Sequence, residues 1–244
     1  MASTNPSSPE DLGILASNAS RSVLDALAPA FERASGRRFV VEFDSARTML
    51  ARIEGGATAD IVILGASVVA GLEKRGVVRT GSCRVFARSR IGVAVRGGAP
   101  KPDISSVAAL RRTLLDARSI AHTVHGASGM YVPVLLERMG IAGEVKHKIV
   151  TRPGGYIGSV VASGEAEIAV QQIVELLAVP GIDVVGPLPD EVQQVFHTAA
   201  GIFTVPRQPA EADALVRFLL EPANAGVFEQ VGLEQGTAEQ ETGD

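Results

Sequence analysis

Short apolar runs rich in valine and isoleucine alternate with longer segments of helical periodicity along most of this 244-residue chain. In residues 20–35, for example, Val23, Leu27 and Phe31 recur on one helical face. The first half predicts strands at 12–16, 38–43, 60–64, 85–87 and 91–95, and helices at 20–35, 47–54, 68–75 and 107–115. Because strands alternating with helices form parallel sheets covered on both faces, the predicted fold class is α/β.

The second half of the chain repeats this rhythm. It predicts strands at 119–123, 145–150, 168–170, 184–185 and 195–203, and helices at 129–139, 157–163, 211–220 and 223–231. Two units of similar design predict two lobes with a ligand cleft between them, at the carboxyl ends of their strands. The predicted boundaries are 12–86 plus 200–233 for lobe 1, 87–199 for lobe 2, and flexible ends at 1–11 and 234–244. The chain is expected to cross between the lobes near 85–91 and to return near 195–202.

Charge and cysteine content exclude several classes of function. Net charge is −4, no cluster of five or more basic residues occurs, and aromatic residues make up only 4%, so nucleic-acid binding is not expected. The single cysteine, Cys83, excludes an intramolecular disulfide framework and most multi-cysteine metal sites. His122 and His125 lie three apart in a strand and therefore point to opposite faces, so we expect no metal site. No cofactor is expected either.

The distribution of apolar residues bears on localisation. No stretch reaches the roughly 18 consecutive apolar residues that a membrane span requires. Residues 2–11 are polar and lack the basic start and apolar core of a secretory signal. The expected localisation is therefore cytoplasmic, or periplasmic if a signal has been removed, and a membrane permease is an expected partner only in the second case.

Four loops lie where a predicted strand ends and a helix begins: 17–20, 44–48, 125–129 and 152–156. They are rich in glycine and small hydroxyl residues, which leave backbone N–H groups unobstructed. Such donors, with the partial positive charge of a helix start, form a site for an anion, although the same residue types also cap helices without any ligand. The predicted partner of the cleft is a small anion.

Several segments resemble the molybdate-binding periplasmic proteins. The run 43–60, which reads FDSARTMLARIEGGATAD, is similar to a motif of that family, and Ala16-Ser17-Asn18-Ala19 occupies the place of its loop with a ligand serine. The segments 162–169 and 186–189 match the later pattern, so the resemblance covers about residues 12 to 233. It implies a type II periplasmic-binding-protein fold, with two lobes and a ligand cleft between them.

The chain departs from that family in ways that favour a larger ligand. Asp44 and Arg47 enter a loop that is serine-rich in the family, and an arginine fork suits a planar carboxylate. Gln171 and Gln172 replace the tyrosine that the family places after its last strand in lobe 2. These departures favour an organic acid with more than one carboxylate. The candidate ligand-binding residues are Ser17, Asn18, Ser45, Arg47, Ala127, Ser128, Arg152, Gly154, Gly155, Gln171 and Gln172.

Three functions are compatible with this pattern. Bacterial aconitate isomerases resemble the same family, which implies an allylic proton shift on a tricarboxylate, with His125, Asp44 and Tyr156 as candidate acid–base residues; His122 is expected to be a packed core residue. The first alternative is a transporter's binding protein for molybdate or another small anion. The second is a cytoplasmic sensor whose partner protein responds to the ligand. The sequence favours the isomerase and leaves all three open.

Overall fold

One long strand connects the two halves of the molecule in a computed structural model that describes residues 11–236. This strand, β4 (Arg84–Arg96), pairs with one sheet along its first half and with a second sheet along its last. The preceding elements are β1 (Leu12–Ser17), α1 (Arg21–Ser35), β2 (Phe39–Asp44), α2 (Ala46–Glu54), β3 (Ile61–Gly65) and α3 (Ala66–Lys74). The following ones are α4 (Val107–Asp116), β5 (Ile120–Thr123), α5 (Ala127–Arg138), α6 (Ala142–Val145), β6 (Ile149–Arg152), α7 (Gly158–Ala162), β7 (Ile168–Gln172), α8 (Ile173–Leu177), β8 (Ile182–Pro187), β9 (Val195–Ile202), α9 (Pro209–Leu219), α10 (Ala225–Gln230) and β10 (Glu234–Gln235).

The two sheets share one strand order. In lobe 1, β1 lies between β2 and β3 with all three parallel, and β9 follows antiparallel to β3. In lobe 2, β5 lies between β6 and β7 with all three parallel, and β4 follows antiparallel to β7. Each sheet is covered on both faces, because two separate apolar clusters flank each of them. The predicted α/β class and the two-lobed type II architecture are therefore confirmed.

The first crossover lies where the sequence predicts it but has a different form, and the return to lobe 1 lies earlier than predicted, between Pro187 of β8 and Val195 of β9. β4 pairs with β9 as far as Arg90 and with β7 from Ile91 onward, so the chain changes sheets between these residues. The two strands predicted at 85–87 and 91–95 are one continuous strand. The strand continues through the polar residues 88–90 because alternate side chains face opposite ways. Ser89 is buried, while Arg88 and Arg90 form salt bridges with Glu234.

Two local predictions in lobe 2 were wrong. The strand predicted at 145–150 begins only at Ile149, because α6 and a 3-10 turn at 146–148 occupy its first residues. The helix α8 was not predicted at all, since its five residues are too few to show a helical period. It follows β7 without a loop.

The ordered fold extends slightly beyond the predicted limits of 12 and 233. Asp11 is buried, and β10 pairs with β4 while the Gln235 side chain donates to the carbonyls of Leu219 and Glu221. The remainder of the predicted flexible ends, residues 1–10 and 237–244, lies outside the described residues. Between residues 11 and 236, no helix combines the length and the apolar character needed to cross a membrane.

Candidate functional site

Three parallel strands from each lobe direct their carboxyl ends at one cleft. The cavity between the lobes has a volume of about 50 Å³. The lobes are in contact at its edge, because a Cβ placed on Gly154 would lie 3.3 Å from the Ser45 Cβ. Lobe 1 lines the cleft with Ser17, Asn18, Ala19, Ser45, Ala46 and Gly65, lobe 2 with Thr123, Gly126, Ala127, Gly154, Gly155, Gln171, Gln172 and Glu175, and β9 with Phe196, His197 and Thr198.

In lobe 1, the side chains of Asp44 and Ser45 at the junction of β2 and α2 form hydrogen bonds with the backbone. Ser45 Oγ accepts a hydrogen bond from the Thr48 N–H at 3.2 Å and so caps α2. The Asp44 carboxylate accepts from the Ser45 N–H at 2.6 Å and is not part of the cleft lining. At this junction lobe 1 therefore offers a ligand mainly N–H groups and the positive end of α2, whereas the cleft-lining Ser17 at the end of β1 makes no side-chain cap hydrogen bond.

In lobe 2, two hydroxyl groups at the junction of β5 and α5 are left without a protein hydrogen-bond partner among the described residues. The buried Oγ atoms of Thr123 and Ser128 have no hydrogen-bond partner within the described part of the chain, and Thr123 lines the cleft. Gly129 permits the close approach of α5 to the end of β5, because a Cβ there would lie 1.9 Å from the Thr123 carbonyl oxygen. Buried polar atoms without partners are uncommon in proteins and are a typical feature of a ligand site.

Gln171 fixes the loop between β6 and α7, which is the second strand–helix junction of lobe 2. Its Oε1 accepts from the Ile157 N–H at 2.9 Å, and its Nε2 donates to the Gly155 carbonyl at 2.9 Å. The loop that carries Gly154 and Gly155 into the cleft is thereby fixed to the end of β7. Gln171 thus both lines the cleft and positions its neighbours.

Glu175 is a buried carboxyl in the wall of the cleft that the sequence analysis missed. Its side chain lies in α8 and the residue is only 6% exposed. Gln172 Nε2 donates to Glu175 Oε2 at 3.4 Å. Burial raises the pKa of Glu175 to about 8, with hydrogen bonds from Gln171 and Gln172 acting in the opposite direction. At neutral pH the carboxyl is therefore mostly protonated and uncharged.

Tyr156 follows Gly154 and Gly155 but is not part of the cleft lining, although it interacts electrostatically with the lining residue Glu175. Burial raises the pKa of its hydroxyl, while the nearby Arg21 guanidinium acts to lower it. Arg21 also stacks over the Phe43 ring, with its Cζ 4.0 Å from the ring centroid. A residue of lobe 1 thus meets a residue of lobe 2 next to the cleft.

The structure brings eight of the eleven candidate ligand-binding residues to the cleft lining and leaves out Arg47, Arg152 and Ser128. Arg47 is exposed, because it is two positions from Met49 and so on the opposite side of α2 from the core. Arg152 pairs with Glu165 at 2.6 Å on the surface. The expected guanidinium clamp on the ligand is not formed by these two residues. Ser128 is buried beside the lining residue Ala127.

None of the three candidate acid–base residues, His125, Asp44 and Tyr156, lines the cleft. The backbone N–H of His125 donates to the Pro153 carbonyl. His122 is buried in β5, as expected, with Nδ1 2.8 Å from the Thr123 carbonyl oxygen, and burial lowers its pKa. Among residues 11–236, no group of three or more histidine, cysteine or acidic side chains is placed to hold a metal ion.

Comparison with known proteins gives matches over nearly the whole chain. Residues 12–234 match the model of the bacterial extracellular solute-binding protein family. An aconitate isomerase from Pseudomonas sp. is 34% identical over 229 residues, covering 91% of this chain and 87% of the relative.

Two solved structures show the same fold at low sequence identity. The periplasmic molybdate-binding protein of Azotobacter vinelandii superposes with a TM-score of 0.78 at 18% identity, covering 91% of this chain and 98% of that protein. The sulfate-binding protein SubI from Mycobacterium tuberculosis gives 0.75 at 16% identity, covering 94% and 88%. The type II periplasmic-binding-protein fold implied by the sequence motifs is thus confirmed.

Proposed function

The chain belongs to the bacterial extracellular solute-binding protein family, and we propose that its cleft binds a small organic polycarboxylate and isomerises it by a proton shift between two carbons. The observation that carries this proposal is the 34% identity to an aconitate isomerase, in a match that covers 91% of this chain and 87% of the relative. The oxyanion-binding proteins of the same fold are only 16–18% identical.

The chemistry of the cleft suits a carboxylate ligand. Helix N-termini from both lobes present N–H groups, and Thr123 adds a hydroxyl that has no partner within residues 11–236. Because these donors are fixed by the fold, they stabilise negative charge without having to reorganise. Ser45 and Gly154 approach each other across the cleft, and lobes closed in this way would exclude water from a bound ligand.

The proposed reaction is an allylic proton shift that needs no oxidant and no second substrate. A base removes a proton from a methylene carbon next to a carboxylate, and the C–H electron pair forms a double bond to the central carbon. The original double bond breaks as its far carbon accepts a proton. The double bond has then moved by one position, and the conformation about the single bond that became double decides whether the product is the cis or the trans form.

A proton NMR time course with trans-aconitate in deuterated buffer tests this proposal. We expect the signals of the cis isomer to appear and deuterium to enter at the reacting carbons. Gln172→Leu, which alters the buried cleft wall, should slow the reaction, whereas Gln194→Leu on the surface should not. Neither isomer nor deuterium after prolonged incubation with trans-aconitate and related acids would rule the isomerase out.

A second candidate function is a transporter's binding protein for a small oxyanion. The structural likeness to proteins that bind molybdate and sulfate favours it, as does a cleft lined by uncharged donors. Calorimetric titration with molybdate, sulfate and trans-aconitate distinguishes the two functions. Tight binding of molybdate or sulfate, with no binding of the tricarboxylate, would support the transport function.

A further inference from the structure

We propose that Glu175 is the residue that moves the proton, an inference that rests on the proposed isomerase function. The side chain is 6% exposed and is part of the cleft lining, so it can reach a bound ligand without being open to bulk water. It is the acidic residue of the cleft lining, whose other side chains include the amides of Gln171 and Gln172 and the imidazole of His197.

The carboxyl is held by neutral groups rather than by a cation. Gln172 Nε2 lies 3.4 Å from its Oε2, and no salt bridge to Glu175 occurs among the residues that the structure describes. A structural buried carboxylate is normally paired with a cation or with several N–H donors. Glu175 is therefore arranged to change protonation state rather than to stabilise the fold.

The surroundings of Glu175 set its basicity in a useful range. Burial raises its pKa to about 8, so roughly a tenth of the molecules hold it ionised at pH 7. The neutral majority does not repel an incoming anion. The ionised form is a stronger base than an ordinary carboxylate, which favours removal of a proton from carbon.

Other titratable groups approach Glu175 from the neighbouring elements. Tyr156 precedes α7, with Arg21 and Asp25 of α1 beside it, and His197 lies on β9 in the cleft lining. On the remaining strands packed against α8, Asp183 of β8 accepts from the Gly98 N–H, and Arg88 and Arg90 of β4 pair with Glu234. Of these groups, Tyr156 interacts electrostatically with Glu175, and His197 shares the cleft lining with it.

The step is balanced with Glu175 as a single shuttle. Its carboxylate takes the proton from the methylene carbon of the substrate, and the double bond moves to that carbon. The protonated Glu175 then gives the same proton to the far carbon of the original double bond and returns to its starting state. Exchange of the proton with solvent while it is on Glu175 introduces deuterium into the product.

The experiment compares wild type with Glu175→Gln, Glu175→Asp and the surface control Glu144→Gln, using trans-aconitate. Glu175→Gln should lower kcat at least 100-fold and leave KM and the calorimetric affinity within about threefold, because the amide fills the same space but carries no transferable proton. Glu175→Asp should restore part of the rate. The wild-type kcat/KM should rise with pH through about 8, and Glu144→Gln should follow the wild type.

The outcomes separate this inference from the proposed function. If wild type and Glu175→Gln isomerise the ligand at equal rates, Glu175 is not the proton carrier, although the isomerase function stands. A large loss of affinity in Glu175→Gln with kcat unchanged would also overturn the inference, because the residue would then act only in binding. If the wild type binds the ligand but catalyses no exchange, both the isomerase function and the role of Glu175 fall.

Discussion

Each lobe contains a deeply buried carboxyl group, and the two have opposite surroundings. In lobe 1, Asp60 is completely buried and accepts hydrogen bonds from the N–H groups of Gly13, Arg207 and Gln208 and from the Arg207 guanidinium. In lobe 2, Glu175 lines the cleft, accepts a hydrogen bond from the Gln172 amide, and forms no salt bridge within residues 11–236.

Their positions in the sheets account for the difference. Asp60 immediately precedes β3, at the amino ends of the parallel strands, where it joins β1 to the segment before α9. Glu175 follows β7, at the carboxyl ends, where ligands bind in open α/β sheets. One carboxyl is saturated with donors and stabilises the fold, and the other is kept undersaturated in the lining of the candidate site.

The largest effect that this comparison predicts is in the pH dependence of stability. Because the pKa of Glu175 is raised from 4.5 to about 8 on folding, the unfolded chain releases its proton first, and stability falls as pH rises between these values. Glu175→Gln lacks this loss and should be more stable than wild type by up to about 4 kcal/mol at pH 9. The gap should close as pH falls toward 4.5.

Urea unfolding of both proteins at pH 5, 7 and 9 measures this gap, with Glu144→Gln as the exposed control. Stability curves that run parallel for wild type and Glu175→Gln would contradict the buried, undersaturated state of this carboxyl. A variant that gains stability while losing catalysis is the usual trade-off at an active site.

Asp60→Asn should change the unfolding free energy in the opposite direction to Glu175→Gln, and by a somewhat smaller amount. Replacing the carboxylate by an amide with the NH2 group in the place of Oδ2 leaves the Arg207 guanidinium and the Gly13 N–H without this acceptor. We expect a loss of about 3 kcal/mol in unfolding free energy at pH 7, measured in urea. Ligand affinity of the folded variant should not change, because Asp60 is not part of the cleft lining. Weakened binding in the folded variant would show that the two edges of lobe 1 are coupled.

The fold was largely predictable from the sequence because its signal is periodic and repeated. The apolar face of α1, with Val23, Leu27 and Phe31 buried, and the crossover near residue 90 follow from patterns that extend over many residues. The short helix α8 was not predictable in the same way, because five residues span barely more than one helical turn. Its start directly after β7 is decided by packing against β4 and β8.

The sequence locates part of the cleft lining, and the charged candidates outside the lining share one physical cause. Loops at the carboxyl ends of strands can be located from the order of elements, and Ser17, Ser45 and Gly154 of these loops do line the cleft. Arginines in these loops suggest anion binding, but Arg47 stays exposed to water and Arg152 forms a salt bridge on the surface. The sequence did contain a signal for Glu175, because it is a single acidic residue inside the otherwise apolar run 173–177.

The smallest predicted changes in stability and affinity distinguish a hydroxyl that caps a helix from a hydroxyl that binds a ligand. Ser45→Ala removes the cap of α2 and should cost about 1 kcal/mol of stability in urea unfolding. Thr123→Val removes a buried hydroxyl that has no partner in the described chain, so stability should stay within about 0.5 kcal/mol of wild type. Affinity for the anion should nevertheless fall about tenfold in Thr123→Val, because a hydrogen bond to a charged ligand is lost. Equal losses of stability in the two variants would mean that the lobe 2 junction, like that of lobe 1, serves only the fold.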